Sequence, residues 1–288
     1  MLWFTLSLGA AFFMATSAAY IKHFYSDVPP WEMALVPALF VSPLSLAALP
    51  FVDIPRLGPD FFPTFLCLMP LFAGSFLLHY RAVRLSPLSL TMPFLSFTPV
   101  FVILTGDLLL GERIGTSGIV GILLVVTGGY VLNLDSARYG LLGPVRAIFR
   151  EPGSALMLLV AAIYSLTSVG GKMLILQSSP LFAALTLFAL IGPLLTLVLL
   201  IAGKVDLRIV LRRPLRGLGA GLLVFGDILC HNLAISMTTA AYMVAIKRMA
   251  GIFSVVYGRV LFKEKGILFR FLGTAIMTAG AAVIAVWG

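Results

Sequence analysis

The chain contains ten long apolar runs, and each has roughly the length, about 20 residues, that a helix needs to cross a lipid bilayer. The connections between the runs are short, so the sequence leaves no room for a separate soluble domain. The predicted fold class is an all-α membrane protein with ten transmembrane helices. We predict these helices at about residues 2–21, 32–51, 61–80, 86–109, 114–134, 154–174, 180–202, 216–236, 239–262 and 267–287.

The composition excludes most soluble classes of protein. Hydrophobic residues fill 60% of the 288 positions and charged residues only 11%, whereas about a quarter of a soluble domain is charged. Too few polar side chains remain to cover the surface of a soluble enzyme or a nucleic-acid-binding domain. The net charge of +9 is typical of a membrane protein with basic cytoplasmic loops. We therefore expect a lipid bilayer, and no nucleic acid, among its partners.

The chain also contains an internal repeat. Glu112 follows the fourth run and Glu264 follows the ninth, a separation of 264 − 112 = 152 positions. Many matches that share nearly one offset indicate duplication. We predict a first five-helix repeat at 1–137, an interfacial linker with basic residues at 138–152 and a second repeat at 153–288. Further matches are His79 with His231, Ala82 with Ala234, Phe101 with Phe253, Gly106 with Gly258, Gly121 with Gly273 and Gly128 with Gly280 at the same offset, Thr16-Ser17 with Thr167-Ser168 at 151, and Pro43 with Pro193 at 150.

Each half holds five predicted helices, so the second half enters the membrane in the opposite sense to the first. The repeats are then inverted, and a pseudo-two-fold axis in the membrane plane relates them. This architecture is typical of secondary transporters, whose substrate site lies near the midplane between the repeats. A duplicated membrane protein without transport activity is the alternative.

Basic residues are concentrated in one set of connections. The positive-inside rule places that set in the cytoplasm and both termini outside, and we expect the plasma (inner) membrane. The opposite set carries only Arg56, Arg113 and Lys172. The basic set consists of Lys22, Arg81, Arg84, Arg138, Arg146, Arg150, Lys204, Arg208, Arg212, Arg213, Arg216, Lys263 and Lys265.

Lys247 and Arg248 lie about a third of the way into the ninth predicted helix. An ionisable group at membrane depth is costly unless it is paired or faces water, so such a group marks a functional site. We interpret the pair as a cationic site for an anionic substrate group, in which Lys supplies a point charge and Arg a planar fork. The alternative is that both long side chains reach the nearer interface.

The eighth helix supplies three polar residues, Asp227, His231 and Asn232. Asp227 and His231 are four positions apart and share one helix face. They are a candidate counter-ion and a proton-responsive partner for the Lys-Arg pair; the alternative is that Asp227 only neutralises a cation. His79, the repeat mate of His231, and Tyr242 in the ninth helix complete the candidate substrate-binding set.

Other polar residues have a structural interpretation, and for most of them a functional one is the alternative. We interpret Glu112 and Glu264 as helix-end and loop determinants, with a role in gating as the alternative. Glu32, beside Trp31, is expected to be an interfacial anchor. Polar residues of the first and sixth helices either touch substrate or allow close helix packing; these are Thr16, Ser17, Tyr164, Thr167 and Ser168.

No motif supports catalysis. The sequence has no glycine-rich phosphate loop and no nucleophile with a supporting base, and Cys67 and Cys230 have no metal-binding spacing. We therefore expect neither an enzyme nor a cofactor or metal.

The two halves and their ends resemble a known family. Gly111-Glu112-Arg113 follows the fourth helix and Lys263-Glu264-Lys265 follows the ninth. With ten helices in two inverted halves, the whole chain resembles the drug/metabolite transporter superfamily, and in particular its EamA-type members.

The segment 245–256, Ala-Ile-Lys-Arg-Met-Ala-Gly-Ile-Phe-Ser-Val-Val, also looks like the ninth helix of the plastid triose-phosphate translocators. That resemblance implies that Lys247 and Arg248 bind substrate phosphate. His231-Asn232 resembles a Tyr-Asn step of the translocators, and His79 falls near a polar phosphate contact. The chain departs from the pattern at His231, in place of Tyr, and at Leu95, in place of a further Lys.

Together these observations predict a secondary transporter for a small anionic metabolite, phosphorylated or carboxylated, that works by alternating access and exchanges substrates. The alternatives are a proton-coupled exporter of amino acids or drug-like solutes, and a lipid-handling transporter. We expect a small-molecule anionic substrate as partner and a monomer or homodimer.

Overall fold

The computed structural model describes residues 2–111, 117–132, 150–208 and 212–287. Glu112 and most of the predicted linker, 138–149, lie outside these residues. Every regular element in the described part of the chain is a helix, which confirms the all-α fold class.

Ten helical spans follow one another in the described part of the chain. Eight of them are long and apolar enough to cross a membrane, and the fifth and tenth complete the set. All spans except the fourth and the ninth are single unbroken helices. These are Leu2–Tyr25, Pro30–Ala48, Phe61–Leu85, Ser117–Leu132, Pro152–Leu176, Pro180–Ile201, Pro214–Ser236 and Ile267–Trp287.

The fourth and ninth spans are broken, although the sequence predicted each as one continuous helix. The fourth consists of Leu88–Thr91, a 3-10 segment Met92–Phe97 and Thr98–Leu110. Pro93 lies in that segment, and proline lacks the N–H that an α-helix needs. The ninth consists of Ala240–Lys247 and Ala250–Phe262. Non-helical backbone at membrane depth is tolerated where it lines a cavity, and the break in the ninth span falls at Arg248 and Met249, directly after Lys247.

The tight backbone around Arg248 accounts for the second break. The N–H of Gly251 donates to the carbonyl of Arg248 at 3.0 Å, and the N–H of Ile252 donates to that of Met249 at 3.0 Å. These three-residue steps are the pattern of a 3-10 turn rather than of an α-helix. The turn changes the direction of the chain between the two halves of the span. No proline marks this change of direction in the sequence.

The repeat is visible where the fifth and tenth spans pack. A Cβ on Gly128 would lie 2.6 Å from the carbonyl oxygen of Gly273, and a Cβ on Gly280 would lie 2.6 Å from that of Gly121. Gly280 and Gly273 are the repeat mates of Gly128 and Gly121 at the offset of 152. The two contacts are therefore equivalent, and the pseudo-two-fold axis passes between them. Small residues here let two helices approach closely, as is common in membranes.

The second and seventh spans meet in a similar way. The hydroxyl oxygen of Ser42 lies 2.8 Å from the carbonyl oxygen of Phe188 and accepts from the N–H of Gly192 at 2.9 Å. Ser42 and Gly192 are themselves 150 positions apart, so matching positions of the two repeats contact each other directly. The third span packs on the sixth and the first on the eighth, which is again one arrangement seen twice.

One end of the molecule is held together by Glu264. Its carboxylate accepts from the N–H groups of Leu88 at 2.8 Å and Ser89 at 3.1 Å and from the Ser89 hydroxyl, and it pairs with Arg270 at 3.2 Å. Glu264 therefore caps the positive N-terminus of the fourth span from the connection after the ninth. Glu264 therefore acts at a helix end, as expected. The helix that it caps is the fourth span, in the first repeat, whereas Glu264 itself belongs to the second repeat.

Further contacts lie at the same end. Lys22 donates to the carbonyl of Ser86, and the Ser86 hydroxyl donates to Glu151. Arg213 pairs with Asp27 at 2.7 Å and holds the pKa of that carboxyl below its usual range. Glu32, expected as an interfacial anchor, is instead buried and accepts from the N–H of Asp206 at 3.3 Å, because the second span begins beneath the connection that follows the seventh.

Candidate functional site

A cavity of about 1040 Å³, counting space open to solvent, lies among six spans: the first, third, sixth, seventh, eighth and ninth. Its wall includes Leu174 near the end of the sixth span, Ala183 near the start of the seventh and Ile235 near the end of the eighth. The cavity therefore extends away from the end that Glu264 holds together. This position between the repeats is where secondary transporters bind substrate.

Lys247 enters the cavity wall already paired. Its ammonium nitrogen forms an ion pair with Oδ1 of Asp227 at 2.6 Å and lies 3.2 Å from Nδ1 of His231. Asp227 and His231 are one turn apart on the eighth span, so both reach the same point on the ninth. With Nδ1 as the acceptor, His231 is the neutral tautomer that carries its proton on Nε2.

Arg248 is buried, with 3% of its surface exposed, but its guanidinium is only partly satisfied. Nε donates to the carbonyl of Val244 at 3.2 Å, while Nη1 has no hydrogen-bond partner among the described residues. A buried cation that lacks a partner is expensive. An anion in the cavity would supply one.

His79 brings a second unsatisfied atom to the same wall. It is also 3% exposed, and Nδ1 has no hydrogen-bond partner in the described part of the chain. Its ring stacks on Tyr164, with centroids 6.0 Å apart, and meets Tyr80 edge-on at 5.0 Å. Tyr80 is fixed in turn by Ser17, whose hydroxyl lies 2.9 Å from the Tyr80 hydroxyl.

The structure brings six of the seven predicted site residues to this cavity: Lys247, Arg248, Asp227, His231, Asn232 and His79. The side-chain amide of Asn232 donates to the carbonyl of Ile228 in its own helix at 2.9 Å.

Tyr242 is not among the residues that line this cavity, and its part in substrate binding stays a prediction. Its ring packs near Trp3, at 6.5 Å between centroids. Five residues separate Tyr242 from Lys247, and at about 100° per residue this turns its side chain some 140° away from that of Lys247.

Of the polar residues predicted in the first and sixth spans, four line the cavity and one does not. Ser17, Tyr164, Thr167 and Ser168 line the cavity. Thr16 instead contacts the hydroxyl of Tyr257 at 2.8 Å, and so it ties the first span to the ninth.

Sequence reasoning missed the aromatic wall. Phe72, Phe76 and Tyr80 of the third span and Phe188 of the seventh line the cavity. The three on the third span recur every four residues, and Phe72 and Phe76 lie seven and three positions before His79. Residues three, four and seven positions from His79 share its helix face, so a search along that face would have identified Phe72 and Phe76.

The comparisons with known proteins agree with this architecture. The model of the EamA-like transporter family matches residues 1–134 and 151–286. The chain belongs to this family. It is therefore an integral membrane transporter of the drug/metabolite transporter superfamily, as the sequence predicted; the domain boundaries at 137 and 153 stay a prediction.

Solved structures show the same fold. One whose title says only "Crystal structure of protein" superposes with a TM-score of 0.70 at 18% identity, and the match covers 98% of this chain and 96% of the other. At that identity the likeness concerns the fold alone. The comparison with curated proteins finds no match.

Proposed function

We propose that this protein moves a small anionic metabolite, phosphorylated or carboxylated, across the membrane by alternating access. The observation that carries the proposal is the buried guanidinium of Arg248, a residue of the cavity wall, whose Nη1 has no hydrogen-bond partner in the described chain. Ionisable groups at this depth mark substrate pathways.

In this proposal Arg248 and Lys247 attract the anion, while Asp227, His231, Asn232 and His79 tune the site. The resemblance of 245–256 to the triose-phosphate translocators supports the role of the two cations. Leu95 fills the position of the translocators' further Lys and is 2% exposed, so the fourth span adds no charge at that position.

Alternating access needs a part that moves against another part. The fourth and ninth spans are broken at matching positions of the two repeats. Leu95 in the first break matches Lys247, the last helical residue before the second break, at the offset of 152. Rocking of one repeat against the other about these breaks would open the cavity to each side in turn.

The charge of the empty cavity favours exchange over net transport. Two cations face one carboxylate, so an empty occluded cavity retains an excess positive charge that an anion removes. Occluding the loaded site costs less than occluding the empty one. Counterflow should therefore be faster than net uptake.

The Lys247–Asp227 pair supports a second candidate. Because Asp227 lies one turn from His231 in the cavity wall, a proton-coupled exporter of amino acids or drug-like solutes could load a proton there. Uptake or efflux that requires a proton gradient and shows no acceleration by internal substrate would favour it.

We place the protein in the plasma (inner) membrane with both termini outside, from the distribution of basic residues between the connections. The cavity then extends towards the outer face. Its partners are the bilayer and the small anion, without nucleic acid, and it works as a monomer or homodimer.

A thermal-shift screen of the purified protein tests the proposal. The panel holds phosphorylated metabolites, carboxylates, amino acids and neutral sugars. A ligand at 100 times its Kd stabilises by about 2.7 kcal/mol. We expect stabilisation by anions that is lost in Arg248→Ala and kept in Arg259→Ala, which removes an exposed arginine of the same span. Stabilisation by neutral sugars alone, or anion stabilisation that survives Arg248→Ala, would contradict it.

A further inference from the structure

The charges on the cavity wall do not add up to a site for a dianion. Apart from the tyrosines Tyr80 and Tyr164, the ionisable groups that line it are Lys247, Arg248, Asp227 and the two histidines His79 and His231. Lys247 is offset by Asp227 at 2.6 Å and also lies at hydrogen-bond distance from His231. His231 accepts at Nδ1 as a neutral ring. One positive charge therefore remains uncompensated, and it belongs to Arg248.

The unsatisfied atoms point the same way. Arg248 Nη1 and His79 Nδ1 come from the ninth and third spans, and both are buried without a partner in the described part of the chain. Two such atoms suit the two oxygens of one carboxylate: the guanidinium donates to one and a protonated Nδ1 of a neutral His79 donates to the other. Lys247 is committed to Asp227 and is not needed for this group.

Most of the remaining wall is apolar, although the hydroxyl-bearing residues Ser17, Ser75, Thr167 and Ser168 also line it. Phe72, Phe76, Leu187 and Phe188 face the cavity, as does the ring of Tyr164. A substrate that was polar throughout would lose its hydration against these side chains without compensation. A wall of aromatic rings with a few placed polar groups is instead the usual form of a site for a ligand with an apolar body.

We propose that the cavity selects monoanionic carboxylates that carry an apolar body, and that Asp227 is the residue that sets this selectivity by excluding dianions. Arg248 and His79 bind the carboxylate, and the aromatic wall holds the body. Asp227 holds Lys247 and repels the second negative charge of a phosphate monoester. The inference rests on the proposed function, because it takes the cavity to be an anion site.

Three probes with one ring and different charge test it. Phenylacetate carries one negative charge and phenylacetamide none. Phenyl phosphate carries close to two at about pH 8, well above the second phosphate pKa of about 6. Affinities are measured by calorimetry on the full chain in lipid nanodiscs. Wild-type protein is expected to bind phenylacetate at least about tenfold more tightly than either of the other two.

Asp227→Asn separates selectivity from simple binding. Removing the carboxylate frees Lys247 and leaves two positive charges, so phenyl phosphate should gain at least about tenfold over phenylacetate. Asp227→Glu keeps the charge and should keep the wild-type order. Asp53→Asn, which changes an exposed acid in the connection after the second span, should leave all three affinities unchanged.

Wild-type protein that binds phenyl phosphate as tightly as phenylacetate overturns the selectivity, whether or not Asp227→Asn folds. So does an Asp227→Asn protein that retains the wild-type ratio. Failure of all three probes, while a polar phosphorylated metabolite binds in the thermal-shift screen, overturns this inference and leaves the proposed function standing. Absence of binding by every anion of that screen overturns both.

Discussion

Lys247 and Arg248 are neighbours in the sequence, but their side chains have different surroundings. One is paired with Asp227 and the other has an unsatisfied nitrogen in the cavity wall. The sequence identified both residues, since charges at membrane depth stand out in an apolar chain. It left open which of them Asp227 neutralises, because that depends on how the eighth span lies against the break in the ninth.

Removing Lys247 should destabilise the protein more than removing Arg248. Lys247→Ala leaves Asp227 buried without its partner, and breaking a buried pair costs about 3 kcal/mol or more. The double variant Lys247→Ala/Asp227→Asn removes both charges and should recover most of this loss. Unfolding midpoints in detergent measure it, with Lys204→Ala, an exposed lysine, as control. A double variant no more stable than Lys247→Ala would contradict the pairing.

At the scale of the helices, the ten spans and their pairing into repeats follow from apolar length and from one repeated offset. The break in the ninth span does not, because no proline lies at Arg248 and Met249 to mark it. Pro93 lies in the break of the fourth span, but transmembrane helices tolerate proline, so its presence alone did not predict a break. Glu264 illustrates a second limit. Its position after the ninth span was evident in the sequence, whereas its contacts with Leu88 and Ser89 join residues about 175 positions apart, which no local pattern reveals.

The cap on the fourth span should be measurable. Glu264→Ala leaves the N–H groups of Leu88 and Ser89 without their acceptor and Arg270 without its ion pair, and we expect a loss of about 1–3 kcal/mol. Lys265→Ala, which changes the exposed next residue, should be neutral within about 0.5 kcal/mol. Equal unfolding midpoints for the two variants would show that the carboxylate does not hold the span.

The close approach of the fifth and tenth spans makes a symmetric prediction. A Cβ added to Gly128 or to Gly280 would meet backbone atoms at 2.6–2.7 Å, so Gly128→Ala and Gly280→Ala should each cost about 1–3 kcal/mol. A Cβ on Gly74 of the third span meets no atom within 4 Å, and Gly74→Ala should be tolerated. Thermal unfolding of the three variants tests this prediction. An unchanged unfolding midpoint for Gly128→Ala or Gly280→Ala would contradict the packing.

At the scale of the whole molecule, an odd number of spans in each half predicts opposite orientations, and the packing of matching helices agrees with two related halves. Which side faces the cytoplasm rests on the basic connections alone. Single cysteines at Lys204 and Asp53, in a background without Cys67 and Cys230, should be labelled from opposite sides of the membrane. An impermeant reagent applied outside intact cells should reach position 53 and not 204. Labelling of 204 alone would reverse the orientation.

Transport by purified protein in vesicles tests the central claim most directly. We would measure uptake of a labelled anion taken from the thermal-shift screen, with and without the same anion inside, for wild-type protein, Arg248→Ala and the control Arg259→Ala. The account predicts uptake that internal anion accelerates, that Arg248→Ala abolishes and that Arg259→Ala retains. Uptake by Arg248→Ala at the wild-type rate would contradict it, since no anion would then depend on the buried guanidinium of the central cavity.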